Sequence, residues 1–275
     1  MRWRCFLCCI TALFVVLHRI DAGTLAQFRT PLGEIDVELF DQDKPATVQN
    51  FIRYVQTGAY ADMFMHRWVP GFVIQGGGFA VSNRLATNAI IVPVTTFSAI
   101  TNEYAVGRTF SNKYGTIAMA RVGGQTNSAT SQWFFNLTDN ASLDGVDGGF
   151  TAFGRVVSGT NVLDRFNNTA TNGIYQFPGQ PPLNELPVLS AKPTLADLVY
   201  TDITLLNVRV QPSARGGREI SWNSVSNKIN VVEFTEKLPP TWQIFFSTNA
   251  HGDILRVHDL NTQSAARFYR VRVEY

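Results

Sequence analysis

Residues 65–79 constrain this chain more than any other stretch, because they place polar side chains inside an apolar run. The residues on both sides of Pro70-Gly71 are rich in β-branched and aromatic types, which predicts two strands joined by a turn. A guanidinium is almost never buried alone, so Arg67 is either paired with a carboxylate or held on the rim of an apolar pocket. The glycines Gly76–Gly78 fit a place where the backbone turns sharply or another group approaches it closely. A strand pair with a surface arginine is the alternative.

Length and composition limit the classes of protein to which this chain can belong. The chain has 275 residues, enough for roughly two domains. Its hydrophobic content of 45% and charged content of 16% are typical of globular proteins. A formal charge of +2 gives no electrostatic reason to expect nucleic acid or an anionic membrane as a partner.

Residues 1–22 are predicted to be a secretory signal peptide. A basic start precedes the apolar core Cys5–Leu17, which suits a signal and is too short for a membrane span. Ala22-Gly23 is a plausible cleavage point, although Ile20 is a poor fit to the small residue expected three positions before the cut. An uncleaved membrane anchor is the alternative. All three cysteines lie in this segment, so cleavage would exclude disulfides, thiol catalysis and cysteine metal sites. The expected location is the periplasm, the outer surface or the medium.

Hydrophobic periodicity predicts mainly β structure in the first part of the chain after the signal segment. Two of its strands, Tyr114–Arg121 and Ser131–Leu137, have distinctive faces. The first carries small residues at alternate positions, so one face is nearly bare and its backbone could bind an extended peptide; tight packing of two sheets is the alternative. The second places Gln132 and Phe134 on the face opposite to Trp133. The other predicted elements are a hairpin (Thr24–Leu39), a helix that begins at Pro45 and ends near Gly58, a strand-like patch (Ile90–Thr96), a strand (Phe150–Val157), a short helix (Asn161–Phe166) and a final strand (Leu198–Val208).

The C-terminal part is predicted to be a separate small module. Residues 171–197 are rich in Pro, Asn and Gly and are expected to form a loop, and residues 210–217 a linker. Residues 218–275 hold five short alternating runs, which predict a β-sandwich-like all-β module. Its closing run resembles the last strand of modules appended to exported bacterial proteins.

Separated motifs make residues 24–209 resemble the cyclophilins, the peptidyl-prolyl cis-trans isomerases. The family's Phe-His-Arg, Pro-Gly-Phe and Gln-Gly-Gly pattern is matched within residues 65–77, with Met65 in place of the first phenylalanine. Further matches follow in the family's order and at about its spacing. They are Met119-Ala120, Ser131-Gln132-Trp133-Phe134, Leu143-Asp144-Gly145 and Phe153-Gly154. The resemblance implies a closed eight-stranded antiparallel barrel with a helix at each end.

The resemblance also implies a role for each matched side chain. Arg67 would donate to the prolyl nitrogen and Gln75 would hold its guanidinium, so these two are the candidate catalytic residues. The candidate substrate-binding residues are His66, Phe72, Val73, Ala120, Arg121, Gln132, Phe134, Leu143 and Phe150. Phe72, Val73, Phe134 and Leu143 would form an apolar cup, and Gln132 with the backbone at Ala120 and Arg121 would grip the peptide. A structural histidine is the alternative for His66, and barrel core is the alternative for Phe72 and Phe134.

The implied reaction needs no metal, cofactor or nucleophile. Rotation about a peptide bond is opposed by a barrier of about 18–20 kcal/mol, because conjugation must be broken. A donor aimed at the prolyl nitrogen helps only in the twisted state, where the lone pair appears, and only such differential binding accelerates a step. The leading hypothesis is therefore a prolyl isomerase acting on proline-containing segments of exported proteins, with no membrane contact after signal cleavage. An Arg67 tied up in an internal ion pair, or with no hollow beside it, would contradict this hypothesis.

Departures from the family pattern leave alternatives open. Ser142 replaces a tryptophan that contributes to cyclosporin binding in the family, so weak cyclosporin binding is expected. Arg121 replaces a common asparagine and would add charge at the groove edge, and Phe150 stands where eukaryotic members have histidine. A catalytically weak peptide-binding or scaffold protein, with the C-terminal module carrying the interaction, is the second hypothesis. A secreted β protein without activity is the third.

Overall fold

The computed structural model describes residues 24–86, 88–168, 174–175, 183–223, 229–237, 240–250, 254–262, 264 and 266–274. The predicted signal peptide, with its three cysteines, lies outside the described residues. Among the residues that are described, no helix combines the length and the apolar character needed to span a membrane.

The first domain is mainly β and contains two α-helices. The strands are β1 Leu25–Thr30, β2 Gly33–Leu39, β3 Arg67–Val69, β4 Val73–Gly76, β5 Phe79–Ser82, β6 Ile90–Pro93, β7 Thr116–Met119, β8 Trp133–Asn136, β9 Ala152–Ser158, β10 Ile174–Tyr175, β11 Leu186–Pro187 and β12 Asp202–Leu206. The helices are α1 Pro45–Gln56 and α2 Thr160–Asn167. The predicted helices at Pro45 and Asn161 are therefore confirmed.

Eight of these strands form one curled antiparallel sheet in the order β12-β1-β2-β9-β7-β8-β4-β3. β12 and β3 lie at its two ends. Residues just before these strands are joined, because Phe64 bridges to Tyr200 and Met65 N donates to Val199 O at 2.9 Å. The eight strands thus form a curled antiparallel sheet whose ends are linked by these contacts, and full closure into a barrel stays a prediction. β5 and β6 form a separate hairpin.

The core lies inside the curl of this sheet and under α1. The alternation in β2 buries Ile35, Val37 and Leu39, as period-2 patterning predicts. Phe28 makes edge-to-face contacts with Trp133 and Phe135, each at 5.1 Å between ring centroids. Trp133, Phe135 and Leu137 are all buried, so the predicted inner face of the 131–137 strand is confirmed.

The N-terminus of α1 is capped from a distant loop. Glu103 is buried and its carboxylate accepts hydrogen bonds from Ala46 N at 3.1 Å and Thr47 N at 2.7 Å. These are backbone donors that a first helical turn leaves unpaired. The buried ammonium of Lys44 donates to the carbonyls of Glu103, Tyr104 and Val106, and its burial lowers the pKa of Lys44. The long connection before β7 is thus fixed to the helix.

A second apolar cluster anchors residues 183–200 to Phe64 and to the β5–β6 hairpin. Leu183, Leu186, Val188, Leu198 and Tyr200 pack with Phe64 and Val81. Trp68 N in β3 donates to Glu185 O at 2.6 Å, so this segment covers the edge strand of the sheet. The prediction of a loop over 171–197 is wrong for residues 174–175 and 186–187, which form the paired strands β10 and β11, and for the short helical turn Leu195–Asp197. Residues 176–182 lie outside the described part of the chain.

The C-terminal module consists of two three-stranded sheets. Its strands are β13 Arg209–Pro212, β14 Arg218–Asn223, β15 Ile229–Thr235, β16 Gln243–Asn249, β17 Ile254–Asp259 and β18 Phe268–Glu274. The sheet orders are β13-β14-β17 and β16-β15-β18, and both sheets contribute to one buried cluster, Ile220, Trp222, Val232 and Val271. The five predicted strands are present, but the predicted linker is wrong for residues 210–212, which pair with β14.

Candidate active site

Strand register brings the central polar and apolar candidates into one row. In the paired strands β3, β4, β8 and β7, Arg67 lies opposite Gln75, Gln75 opposite Phe134, and Phe134 opposite Ala118. Directly opposed residues in a sheet point to the same face. The side chains of this row therefore share the face of the sheet opposite to Trp133 and Phe135.

An apolar patch occupies one side of this face. Val73, Ala118, Phe134 and Ala152 are buried, and partly exposed apolar side chains surround them. The surrounding side chains are Phe72, Phe110, Ala120, Leu143 and Phe150. Six predicted binding residues are thus brought together, and Ala118 is fully buried beneath them. Phe110 was missed because it lies in a connection without a motif.

The glycine triplet permits close packing behind the row. A Cβ at Gly76 would lie 2.6 Å from the ring of Trp133, and one at Gly77 would lie 2.3 Å from the carbonyl of Ser131. A Cβ at Gly78 would lie 2.8 Å from the ring of His66. Real side chains do not tolerate such distances, so the predicted close approach at these glycines is confirmed.

Arg67 is paired with a carboxylate that the sequence did not indicate. Its Nε donates to Glu185 Oε2 at 2.5 Å, and the two side chains remain 37% and 35% exposed. Of the two alternatives for Arg67, a carboxylate partner is therefore the one observed. An ion pair of this residue was named above as evidence against the leading hypothesis, but this pair is about one-third exposed and engages Nε alone. The pair uses one of the five N–H donors of the guanidinium. No other hydrogen bond of this guanidinium is formed with residues in the described ranges, so both terminal nitrogens remain available.

Gln75 does not hold the guanidinium as predicted. Its Nε2 donates to Gln132 Oε1 at 2.6 Å, so the two candidate glutamines fix each other. The backbone of Ala120 is also partly engaged, since its N–H donates to Gln132 O at 2.9 Å. Only the carbonyl of Ala120 is left for a peptide in the predicted groove.

His66 is buried, with 4% of its surface exposed, and its ring packs edge-on against Phe79 at 5.3 Å. Burial lowers the pKa of His66 to about 4, although a hydrogen bond with Gln132 partly offsets this. The ring is therefore neutral at physiological pH. These features favour the structural alternative for His66 over a direct peptide contact.

Arg121 forms a wall of the patch. Its guanidinium lies 4.2 Å from the ring centroid of Phe150 and donates to the carbonyls of Val146 at 3.0 Å and Asp147 at 3.2 Å. Cation–π contact and carbonyl donation together tie the 146–149 turn to the patch. The predicted charge at the groove edge is present, but these contacts engage it.

A network of asparagines supports the patch from behind. Asn140 Nδ2 donates to Phe72 O at 2.9 Å and to Asn136 Oδ1 at 2.7 Å. Asn112 Nδ2 donates to Asp144 Oδ1 at 2.8 Å and to Phe150 O at 3.0 Å. These side chains fix the backbone of two patch segments, at Phe72 and at Phe150. Sequence reasoning missed this role, because asparagine in loops carries no signal for a partner far along the chain.

Comparisons with known proteins identify the family for more than half of the chain. The family model for cyclophilin type peptidyl-prolyl cis-trans isomerase/CLD matches residues 25–192. A peptidyl-prolyl cis-trans isomerase of Acinetobacter baylyi is 37% identical over 174 residues, which cover 62% of this chain and 86% of that protein. Peptidyl-prolyl cis-trans isomerase A of Dickeya dadantii is 40% identical over 154 residues, covering 55% and 75%, and isomerase B of Escherichia coli is 36% identical over 159 residues, covering 55% and 90%.

A solved structure of a Cryptosporidium parvum cyclophilin type peptidyl-prolyl cis-trans isomerase, in the presence of the dipeptide Ala-Pro, is 19% identical with a TM-score of 0.46. That match covers 66% of this chain and 98% of that one. The family model, in contrast, spans more than half of the chain, from β1 through the Glu185 segment. The chain therefore belongs to the cyclophilin-type peptidyl-prolyl cis-trans isomerases.

Proposed function

We propose that this isomerase accelerates rotation of X-Pro bonds in exported or secreted proteins, with Arg67 donating to the prolyl nitrogen. The observation that carries the proposal is the row Arg67–Gln75–Phe134–Ala118, which puts a half-exposed cation and an apolar patch on one face. The pairing with Glu185 leaves two terminal nitrogens for this donation.

The chemistry follows from the loss of conjugation during the twist. The prolyl nitrogen gains an available lone pair only when the C–N bond has rotated, so a donor there binds the twisted state better than either planar state. The guanidinium of Arg67 presents its donors in a rigid plane. No bond to the enzyme forms, and no proton leaves the peptide.

The apolar patch provides the place for the proline ring. Phe72, Phe134 and Leu143 are the half-buried or buried side chains that would contact it. Gln132, fixed by Gln75, would orient the adjacent peptide unit. His66 and Gly78 lie behind this glutamine and keep it in position rather than touching the peptide themselves.

Export of the chain is part of the proposal and is supported by the composition of residues 1–22. Expression of the full chain in a bacterium tests it. The protein recovered outside the cytoplasm should have the intact mass of the chain without residues 1–22. A full-length product that stays in the cytoplasm would contradict export.

The catalytic assignment is tested by an isomerisation assay on a proline-containing peptide with the Arg67→Ala variant. A matched control exists in Arg155, a half-exposed arginine that donates from Nε to Glu38 Oε2 at 2.8 Å on β9. Arg67→Ala should lose most of the kcat/KM, and Arg155→Ala should retain it. Equal activity of the two variants would contradict the assignment.

A catalytically weak peptide-binding protein remains the second candidate, because the carboxylate of Glu185 reduces the positive potential beside Arg67. In that case wild type and Arg67→Ala would bind the peptide with the same affinity, and both would isomerise it equally slowly. The same pair of measurements therefore separates the two functions.

A further inference from the structure

The carboxylate of Glu185 is held rigidly beside Arg67. Two residues of its own segment, Leu183 and Leu186, are fully buried in the second apolar cluster on either side of it. Its backbone carbonyl accepts a hydrogen bond from Trp68, the neighbour of Arg67 in β3, at 2.6 Å. The glutamate is thus fixed through its main chain to the strand that carries the arginine.

The contact is made by Nε, the guanidinium nitrogen next to the side-chain stem, and not by the two terminal nitrogens. Arg67 Nε donates to Glu185 Oε2 at 2.5 Å. A planar guanidinium bound at Nε has its plane defined, while both terminal nitrogens stay free to donate elsewhere. The arginine has many rotamers when unbound, so such a contact removes conformational freedom before the peptide arrives.

Gln75, the residue expected to orient the Arg67 guanidinium, forms its hydrogen bond with another side chain. Gln75 donates to Gln132, and within the described ranges Glu185 is the hydrogen-bond partner of the guanidinium. We propose that Glu185 is the positioning residue for Arg67, holding Nε so that the terminal nitrogens face the apolar patch. This inference rests on the proposed function, because it acts through Arg67 and touches no peptide atom.

The glutamate could instead act as a brake, since its negative charge weakens the field of the guanidinium. The two roles predict opposite effects for Glu185→Gln. An amide oxygen can still accept from Nε–H, so positioning predicts a retained rate. Removal of the charge alone would raise the rate if Glu185 were a brake.

The test compares kcat and KM for a proline-containing peptide in wild type, Glu185→Gln and Glu185→Ala, using the full mature chain. Loss of one hydrogen bond that counts mainly in the transition state should lower the kcat of Glu185→Ala by about tenfold with little change in KM. Glu185→Gln should keep more than half of the kcat. Glu38→Ala, which breaks the matched Arg155 pair, should behave as wild type.

A spectroscopic readout keeps the test independent of activity. The Nε–H resonance of Arg67 should be sharp and protected from solvent exchange in wild type and Glu185→Gln, and exchange-broadened in Glu185→Ala. This signal reports whether the hydrogen bond at Nε is formed in each variant, and the kcat measured on the same variant shows whether that bond matters for turnover. If Glu185→Ala were too unstable to assay, the isosteric Glu185→Gln would still decide by its rate and its Nε–H signal.

Three results would overturn the proposal. They are unchanged kcat in Glu185→Ala, a rate in Glu185→Gln above wild type, and a Glu185→Gln rate as low as that of Glu185→Ala. The double variant Arg67→Ala/Glu185→Ala should be no slower than Arg67→Ala, because the glutamate acts through the arginine. If Arg67→Ala itself keeps wild-type activity, the proposed function fails; if it loses activity while Glu185→Ala does not, only the positioning role fails.

Discussion

Burial of His66 predicts a specific loss of stability in acid. The ring is 4% exposed, and burial lowers its pKa from 6.5 to about 4. Between these two values the unfolded chain binds a proton that the folded chain does not, so the free energy of unfolding falls as the pH falls. Stability from the neutral ring is fully present above pH 6.5 and fully lost below about pH 4.

The magnitude follows from the size of the pKa difference. About 2.5 units at 1.36 kcal/mol each amount to about 3.4 kcal/mol, of which about 2 kcal/mol is lost by pH 5. This is a large part of the ~5–15 kcal/mol that stabilises an ordinary domain. His66 should therefore be a major contributor to acid sensitivity of the first domain.

Urea denaturation of wild type and His66→Gln at pH values from 7.5 to 4.5 measures this effect. Glutamine does not titrate, so the difference in unfolding free energy between the two proteins should shrink by about 2 kcal/mol or more towards pH 5. All other titrating groups are shared by both proteins and cancel. Parallel stability curves over this range would refute the assignment of a buried neutral His66.

Three further variants test other parts of the structure. Glu103→Ala should destabilise the first domain by about 2–4 kcal/mol in urea denaturation, because it removes the acceptor at the N-terminus of α1; destabilisation below 1 kcal/mol would count against that capping role. Cyclosporin should inhibit the wild type weakly and Ser142→Trp more strongly in the isomerisation assay, and tight inhibition of the wild type would be inconsistent with this. Arg121→Ala should raise KM more than it lowers kcat, since it frees Phe150 and the 146–149 turn; a pure kcat effect would argue for a different role.

Much of the site could be predicted because it depends on local patterns. The period-2 alternation of residues 131–137 correctly separated Phe134 from Trp133, and the motif in residues 65–77 supplied the two strands that carry Arg67 and Gln75. Strand pairing then aligns these segments in register, so six members of the apolar patch followed from motifs alone.

Contacts between distant segments could not be predicted in this way. Arg67 and Glu185 are 118 residues apart, and they meet only because Leu183 and Leu186 anchor their segment over β3. A Pro- and Gly-rich composition predicted a loop there and gave no sign of a carboxylate partner. The same composition hid β13 in the predicted linker, where Pro212 is tolerated because β13 is an edge strand.

The most direct test of the account separates turnover from binding at Arg67. Exchange spectroscopy on a proline-containing peptide gives the cis–trans interconversion rate on the enzyme, and titration of the same sample gives the affinity. For Arg67→Ala, loss of a charged donor present mainly in the transition state should slow interconversion by about 10²–10³-fold with little change in affinity. An interconversion rate equal to that of wild type would contradict the central role of Arg67.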